Sequence, residues 1–468
     1  MAVVSSKNGD GGKWWVLVAL GIGTFMSALD GSIVNTILPV VQRDMKCSLD
    51  AVQWVVVIYL LMVSGLLLSF GRLGDIVGLR SVCATGFVVF VLGSIVCGFA
   101  THIVLLVAAR GFQAVGAAML FAMSPAILTI TFPEEQRGQA LGLQGMMTYL
   151  GLAFGPSLGG WLTEAYGWQM VFFINVPVGI VAWAACLRFI PAQPKREQRE
   201  AFDLLGAIVF MVGLSTLLLA LNQGHAWHWT SPAVLSLVAI AIVFLAAFVH
   251  IERKRQFPML DLSLFRRRVF TASVVSALLN YSCTAMVTFL MPFYLIKGLG
   301  WSPAKAGLLL TVQPVVMAVT APISGAVSDR LHRQRLPSVI GMAVLVAGTA
   351  WLACLQTDGT AMYIVIGLAI VGLGTGMFIS PNNSVLMGSA PRHRRGVAGG
   401  IMGMGRNVGM VVGVGLAGAI VTTMMVTRPA DRLIEAITTS FWVASAIAFV
   451  GIGTSMIDGD DEAPGLGD

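Results

Sequence analysis

The sequence predicts an all-α membrane protein with 14 transmembrane helices. Two parallel six-helix bundles, related by a pseudo-two-fold axis about the membrane normal, would be joined by two inserted helices. Composition, the spacing of apolar runs and the placement of basic residues carry this reading. Of 468 residues, 57% are hydrophobic and 11% charged, against about 25% charged in a soluble domain. The 53 Gly and 18 Pro are spread through the apolar runs rather than collected in loops, as in membrane helices. A net charge of +7 would suggest an acidic partner for a soluble protein. Here the basic residues lie in loops, so topology accounts for them and nucleic acid is not an expected partner.

Runs of about 20 apolar residues, each able to cross about 30 Å of hydrocarbon, repeat along the chain. They lie near 14–40, 51–73, 81–100, 103–131, 139–163, 168–190, 203–222, 231–250, 269–296, 304–328, 336–355, 360–388, 396–424 and 437–457. With a cytoplasmic N-terminus, 21 of the 29 Lys and Arg fall on that side. Six lie opposite (Arg43, Lys46, Lys297, Lys305, Arg428 and Arg432), and Arg110 and Arg406 sit inside runs. This bias predicts a multi-pass integral protein of the cell (inner) membrane with both termini cytoplasmic. The first run lacks a cleavage site of small residues after a short apolar core, so it is expected to stay as an anchor. The six cysteines show no metal-ligand spacing, and all but Cys47 lie in apolar runs, so neither a disulfide framework nor a metal site is expected.

Two patterns recur along the chain. Pro133-x-x-x-Arg137-Gly138-x-Ala140-x-Gly142 returns as Pro391-x-x-x-Arg395-Gly396-x-Ala398-x-Gly400, displaced by 258 residues. Gly71-x-x-x-Asp75 returns as Gly325-x-x-x-Asp329, displaced by 254. An even number of helices separates the copies, so the repeats run in the same direction, as in one large transporter class with its site between the halves. The expected units are 1–190 and 269–457 as bundles, 203–250 as the inserted pair, 191–202 and 251–268 as cytoplasmic linkers, and 458–468 as an acidic cytoplasmic tail.

Asp30 lies about 24 Å beyond Trp14 along the first helix, and no other Asp or Glu lies so deep in a run. A charge there costs at least about 2.5–3.5 kcal/mol on insertion scales. It therefore faces a cavity or a partner and titrates, or else it is a helix-end residue solvated at the far membrane face. Arg110, in the fourth run, shares a helix face with Gln113 three residues on. A guanidinium keeps its charge and needs an anion or a polar cavity; a purely structural arginine would instead bond backbone carbonyls of the first helix. Gly71, Asp75, Gly78 and Arg80 form a loop after the second run, with a second copy at Gly325, Asp329 and Arg330. Glycines permit a tight turn and the charges can pair. Gly151, Gly155 and Gly159 make one helical stripe, with Pro156 and Gly160 beside it. Such a stripe allows close packing, and the proline removes a hydrogen bond and can kink the helix.

With these stretches in view, the chain resembles the major facilitator superfamily, specifically its fourteen-helix drug:proton antiporter branch. The G-x-x-x-G-P-x-x-G-G stretch from Gly151 to Gly160 matches the antiporter signature without departure. Arg110 to Gly116 is similar to the family's R-x-x-Q-G-x-G, with Ala114 replacing a glycine. The loop from Gly71 to Arg80 departs from its signature at Ile76 and Leu79, where basic residues are usual. Asp30-Gly31-Ser32 to Pro39, Gln53-Trp54, Asn175-Val176-Pro177 and Pro381-Asn382 also fit the branch. The resemblance implies a cytoplasmic gate at the two G-x-x-x-D loops, proton coupling through Asp30 and Arg110, and alternating access driven by a proton gradient.

Asp30, Trp54, Tyr59, Gln113, Met146, Met147, Tyr149, Asn280, Tyr281, Met291, Gln313 and Asn382 are the expected cavity residues, a mixture suited to promiscuous apolar binding. The expected activity is proton-coupled export of lipophilic small molecules of the multidrug type. The alternatives are export of a defined metabolite, siderophore or lipid, and, from another class, a channel or membrane-embedded receptor. Neutral, zwitterionic, monocationic and anionic substrates stay open, and Arg406 leans towards an anionic group. No H-E-x-x-H, G-x-S-x-G or phosphate loop is present, so catalysis is not expected. The expected partners are substrate, protons and the lipid bilayer, with no cofactor and a monomeric state. His225 and His228, beside Trp227 and Trp229, read as an interfacial loop before a metal site.

Overall fold

The structure, a computed structural model, describes residues 12–47, 49–191, 202–224, 227, 230–255, 258–260, 262–331, 335–355, 360–391, 394–427 and 433–457. His225 and His228, most of the expected linker 191–202, and the acidic tail lie outside these. The helices are α1 Gly12–Asp44, α2 Leu49–Val77, α3 Leu79–Gly98, α4 Ile103–Thr131, α5 Arg137–Tyr166, α6 Met170–Phe173, α7 Asn175–Phe189 and α8 Leu204–Gln223. They continue with α9 Pro232–Lys254, α10 Arg268–Phe293, α11 Pro303–Leu310, α12 Val312–Leu331, α13 Arg335–Ala353, α14 Ala361–Ser389, α15 Arg395–Thr427 and α16 Leu433–Ser455.

Side chains that accept from free N–H groups start several of these helices: Asp203 from Gly206 N (3.0 Å), Ser231 from Val234 N (3.3 Å) and Ser302 from Lys305 N (3.3 Å). The chain turns between α2 and α3 at Gly78, whose φ of 107° lies where a side chain would be strained. The runs expected at 168–190 and 304–328 each form one span, Met170–Phe189 and Lys305–Arg330. Within them α6 and α7, and α11 and α12, are separated by a single residue, Ile174 or Thr311, itself in helical backbone conformation.

Among the described residues, 13 helices are long and apolar enough to cross a membrane. The expected run 139–163 lies in α5, which at 30 residues has the length but is diluted by glycine, serine, threonine and glutamine. The protein is thus an all-α, multi-pass membrane protein. Helix α1 packs along α5 and α7, α3 along α4 and α7, and α2 along α4. Further on, α10 packs along α15 and α16, α13 along α14 and α16, and α12 along α14. Helices α8 and α9 pack on each other, with α8 also against α2 and α15. The first and last groups meet where α5 touches α12 and α14, and α15 touches α2 and α4.

Candidate functional site

Asp30 is fully buried near the middle of α1, so the reading of a solvated helix-end residue is overturned. Its Oδ2 accepts from Arg110 Nη1 at 2.5 Å, and its Oδ1 accepts from Gln113 Nε2 and Asn175 Nδ2, each at 2.9 Å. Arg110 also donates through Nε to Val55 O (3.2 Å) and through Nη1 to Gln113 Oε1 (2.6 Å). Gln113 donates on to Ser94 Oγ at 2.8 Å. The Tyr59 ring lies 4.2 Å from the guanidinium carbon, and its hydroxyl donates to Ser27 O at 3.4 Å. Five helices therefore supply one buried ion pair in which both oxygens of Asp30 and the Nε and Nη1 of Arg110 are bonded. Such a pair is tolerated at this depth because its desolvation cost is offset locally, and removing either member would leave an isolated charge.

Helix α5 presses its glycine stripe onto the stretch of α1 that carries Asp30. A Cβ on Gly151 would stand 2.6 Å from Phe25 O, and one on Gly159 2.6 Å from Ile33 Cγ1. One on Gly155 would collide with the Ser32 hydroxyl. Ser32 Oγ donates to Leu152 O at 2.8 Å, tying the two helices between the glycines. Gly160 has open space before it and is no part of this contact. On α15, Gly409 and Gly413 pack the same way against Leu278 and Ser282 of α10.

At one end of the bundle, the two sequence repeats interlock crosswise. Asp75 accepts from Gly396 N (2.8 Å) and Val397 N (3.0 Å) in the first turn of α15. Asp329 accepts from Gly138 N (3.1 Å) and Gln139 N (2.9 Å) in the first turn of α5. Each carboxylate thus caps a helix N-terminus of the opposite group, where free N–H groups and the helix dipole favour negative charge. Gly71 meets Gly396 and Gly138 meets Gly325 so closely that a Cβ would strike backbone. Arg395 Nη1 donates to Thr129 O (3.1 Å), and Ser380 Oγ to Gly138 O. Arg80 serves differently from expectation: its Nη2 donates to Leu187 O at 2.5 Å, capping the end of α7. Arg330 is exposed at the end of α12.

The expected cavity residues separate into two sets. Tyr149 of α5 and Tyr281 of α10 come together across the junction in one buried cluster, and Met146 packs against it. Tyr59 is within electrostatic range of both Asp30 and Arg406. Gln113 is instead enclosed with Asp30. Met147 faces an apolar groove with Ile22, Phe25 and Pro177. Asn280 donates to Met342 Sδ at 3.3 Å inside the later helices, and Met291 is fully buried there. Gln313, itself buried, accepts from Thr288 Oγ1 at 3.5 Å. Asn382 donates to Ser273 O at 3.1 Å, and Trp54 is half-buried. The sequence reading assigned no role to Ser94 or Asn175. Each is a hydrogen-bonding side chain within an apolar run, the one signal available for them.

The family description "Major Facilitator Superfamily" matches residues 20–414 and 273–463. The chain belongs to this superfamily. Its members are transporters and not enzymes, so the protein carries small molecules across a lipid bilayer. The chain is 33% identical over 445 residues to the riboflavin transporter RibZ of Clostridioides difficile (strain 630), covering 94% of this chain and 96% of that one. It is 30% identical over 433 residues to the multidrug transporter protein MdtP of Bacillus subtilis (strain 168), covering 92% and 79%. Among solved structures, the human organic anion transporter MFSD10 (TETRAN) superposes with a TM-score of 0.69 at 15% identity, covering 95% of this chain and 99% of that one. Superfamily relatives associated with multidrug resistance recur, among them Stp of Mycobacterium tuberculosis (strain ATCC 25618 / H37Rv), 31% identical over 410 residues and covering 87% and 76%.

Proposed function

We propose that the protein is a proton-coupled antiporter that exports lipophilic small molecules by alternating access. The observation that carries this reading is the buried Asp30–Arg110 pair, held by α2, α3, α4 and α7 and pressed by the glycine stripe of α5. With Asp30 ionised, Arg110, Gln113 and Asn175 satisfy it. Protonation would remove its charge, weaken the pull on Arg110 and loosen α1 against α4. Because α1 rides on α5, and α5 joins the later helices at Asp329 and Tyr281, that change reaches the contact between the two groups.

The same reading makes residues 1–190 and 269–457 two six-helix halves, in a fourteen-helix chain that counts α5 as a span. The recurring helix pairings and crosswise caps support a pseudo-two-fold relation between them. The interlocked end is then the cytoplasmic gate, closed here, with both termini cytoplasmic and the monomer set in the cell (inner) membrane. Tyr149, Tyr281, Met146 and Tyr59 line the substrate route. A second reading, export of one defined metabolite, is favoured by the similarity along nearly the whole chain to a riboflavin transporter. Growth of an efflux-deficient host expressing the protein, challenged with a chemically diverse panel, separates the two. Protection against several unrelated lipophiles, lost in Asp30→Asn, is the expected result. Protection against none, or protection unaffected by the substitution, would overturn the proposal.

A further inference from the structure

We propose that Arg406 is the anion-recognition group of the substrate cavity, and that the substrate is an amphipathic organic anion with a carboxylate on an aromatic body. This rests on the reading of the protein as an exporter of lipophilic small molecules and names the class. Two arginines lie inside apolar runs, and they are treated oppositely. Arg110 is enclosed and paired with Asp30. Arg406 is only half-buried, and no carboxylate among the described residues forms an ion pair with it. Its protein hydrogen bond runs from Nε to the neighbouring Asn407 Oδ1 at 3.4 Å. Asp30 is no substitute counter-ion, because both of its oxygens are already engaged.

A guanidinium cannot discharge by losing its proton, and an uncompensated charge at membrane depth is costly. A ligand that brings the missing negative charge removes that cost. The surroundings fit such a ligand. The guanidinium carbon of Arg406 lies 4.8 Å from the centroid of the Phe121 ring, which orients the planar fork and leaves its Nη edge for a carboxylate. Asn407 Nδ2 donates to Ser64 Oγ at 3.1 Å, fixing this level of α15 against α2. Tyr59, Tyr149 and Tyr281 stand within range of the charge, supplying flat apolar faces with polar tips. Arg406 therefore stands where α15 meets α2 and α4, within reach of the tyrosines of α5 and α10.

The test uses the purified full-length protein in nanodiscs and two fluorescent probes of the same shape, dansylglycine (anionic) and dansylglycinamide (neutral). Wild type is expected to bind the acid at least about tenfold more tightly than the amide, as one charge-assisted hydrogen bond implies. Arg406→Gln should abolish that preference while leaving amide affinity unchanged. Arg406→Lys, which keeps the charge without the fork, should restore part of it. Equal affinity of wild type for the two probes, no binding of either, or equal loss of both in Arg406→Gln would overturn the proposal. Asp30→Asn keeps the two readings apart. It should retain the acid preference while losing proton exchange, so failure of coupling and failure of anion recognition give different results.

Discussion

Replacing Asp329 with asparagine tests whether the crosswise caps hold one end of the transporter shut. Asp329 is 5% exposed and accepts from Gly138 N and Gln139 N at 3.1 and 2.9 Å. Hydrogen bonds to a charged group contribute about 1.5–3 kcal/mol each. A carboxylate at a helix N-terminus adds about 0.3–1 kcal/mol, more where partly buried. Asparagine keeps one acceptor oxygen, so the expected loss is one charge-assisted bond plus the dipole contribution, about 2–4 kcal/mol. That loss moves the balance between closed and open gates by roughly 30- to 800-fold. Spin labels at the exposed Glu134 and Leu336, on either side of the contact, read the distance by pulsed electron resonance. A longer distance should grow in Asp329→Asn and grow again when Asp75→Asn is added. A distribution identical to wild type in the double variant would refute the reasoning, because no lock of this size can be lost without opening.

The remaining predictions concern single contacts. Gly155→Leu drives a side chain into Ser32 and towards Ile33 N at 3.0 Å. It should cost about 1–3 kcal/mol as overpacking and lower the thermal midpoint along with transport, whereas Gly160→Ala, facing open space, should leave both unchanged. Arg110→Lys removes the fork that reaches Asp30, Gln113 and Val55 together. Substrate-driven proton exchange should fall more than about tenfold in protein that still elutes as a single folded species. Arg80→Ala should lower the thermal midpoint by removing a bond to Leu187 O, worth about 1.5–3 kcal/mol at most. It should leave the Glu134–Leu336 distance at its wild-type value, separating Arg80 from the gate.

Much of the fold was readable because a bilayer demands long apolar runs, and those runs dominate this chain. Both repeats were visible as sequence. That each caps the other across the junction was not, because the partners lie 191 and 321 residues apart. Asp30 and Arg110 stood out because charge is rare inside runs, whereas Asn175 and Ser94 are small polar groups that membrane helices carry for many reasons. Met147, Asn280 and Met291 were expected in the cavity and are held elsewhere. On a helix that is apolar on every side, the pattern does not reveal which face meets the junction.

The most direct measurement is proton movement into proteoliposomes loaded with a pH-sensitive dye, driven by an outward substrate gradient. Wild type should acidify the lumen as substrate leaves, and Asp30→Asn should show no substrate-dependent proton flux while remaining folded. Unchanged flux in the Asp30→Asn protein would contradict the account.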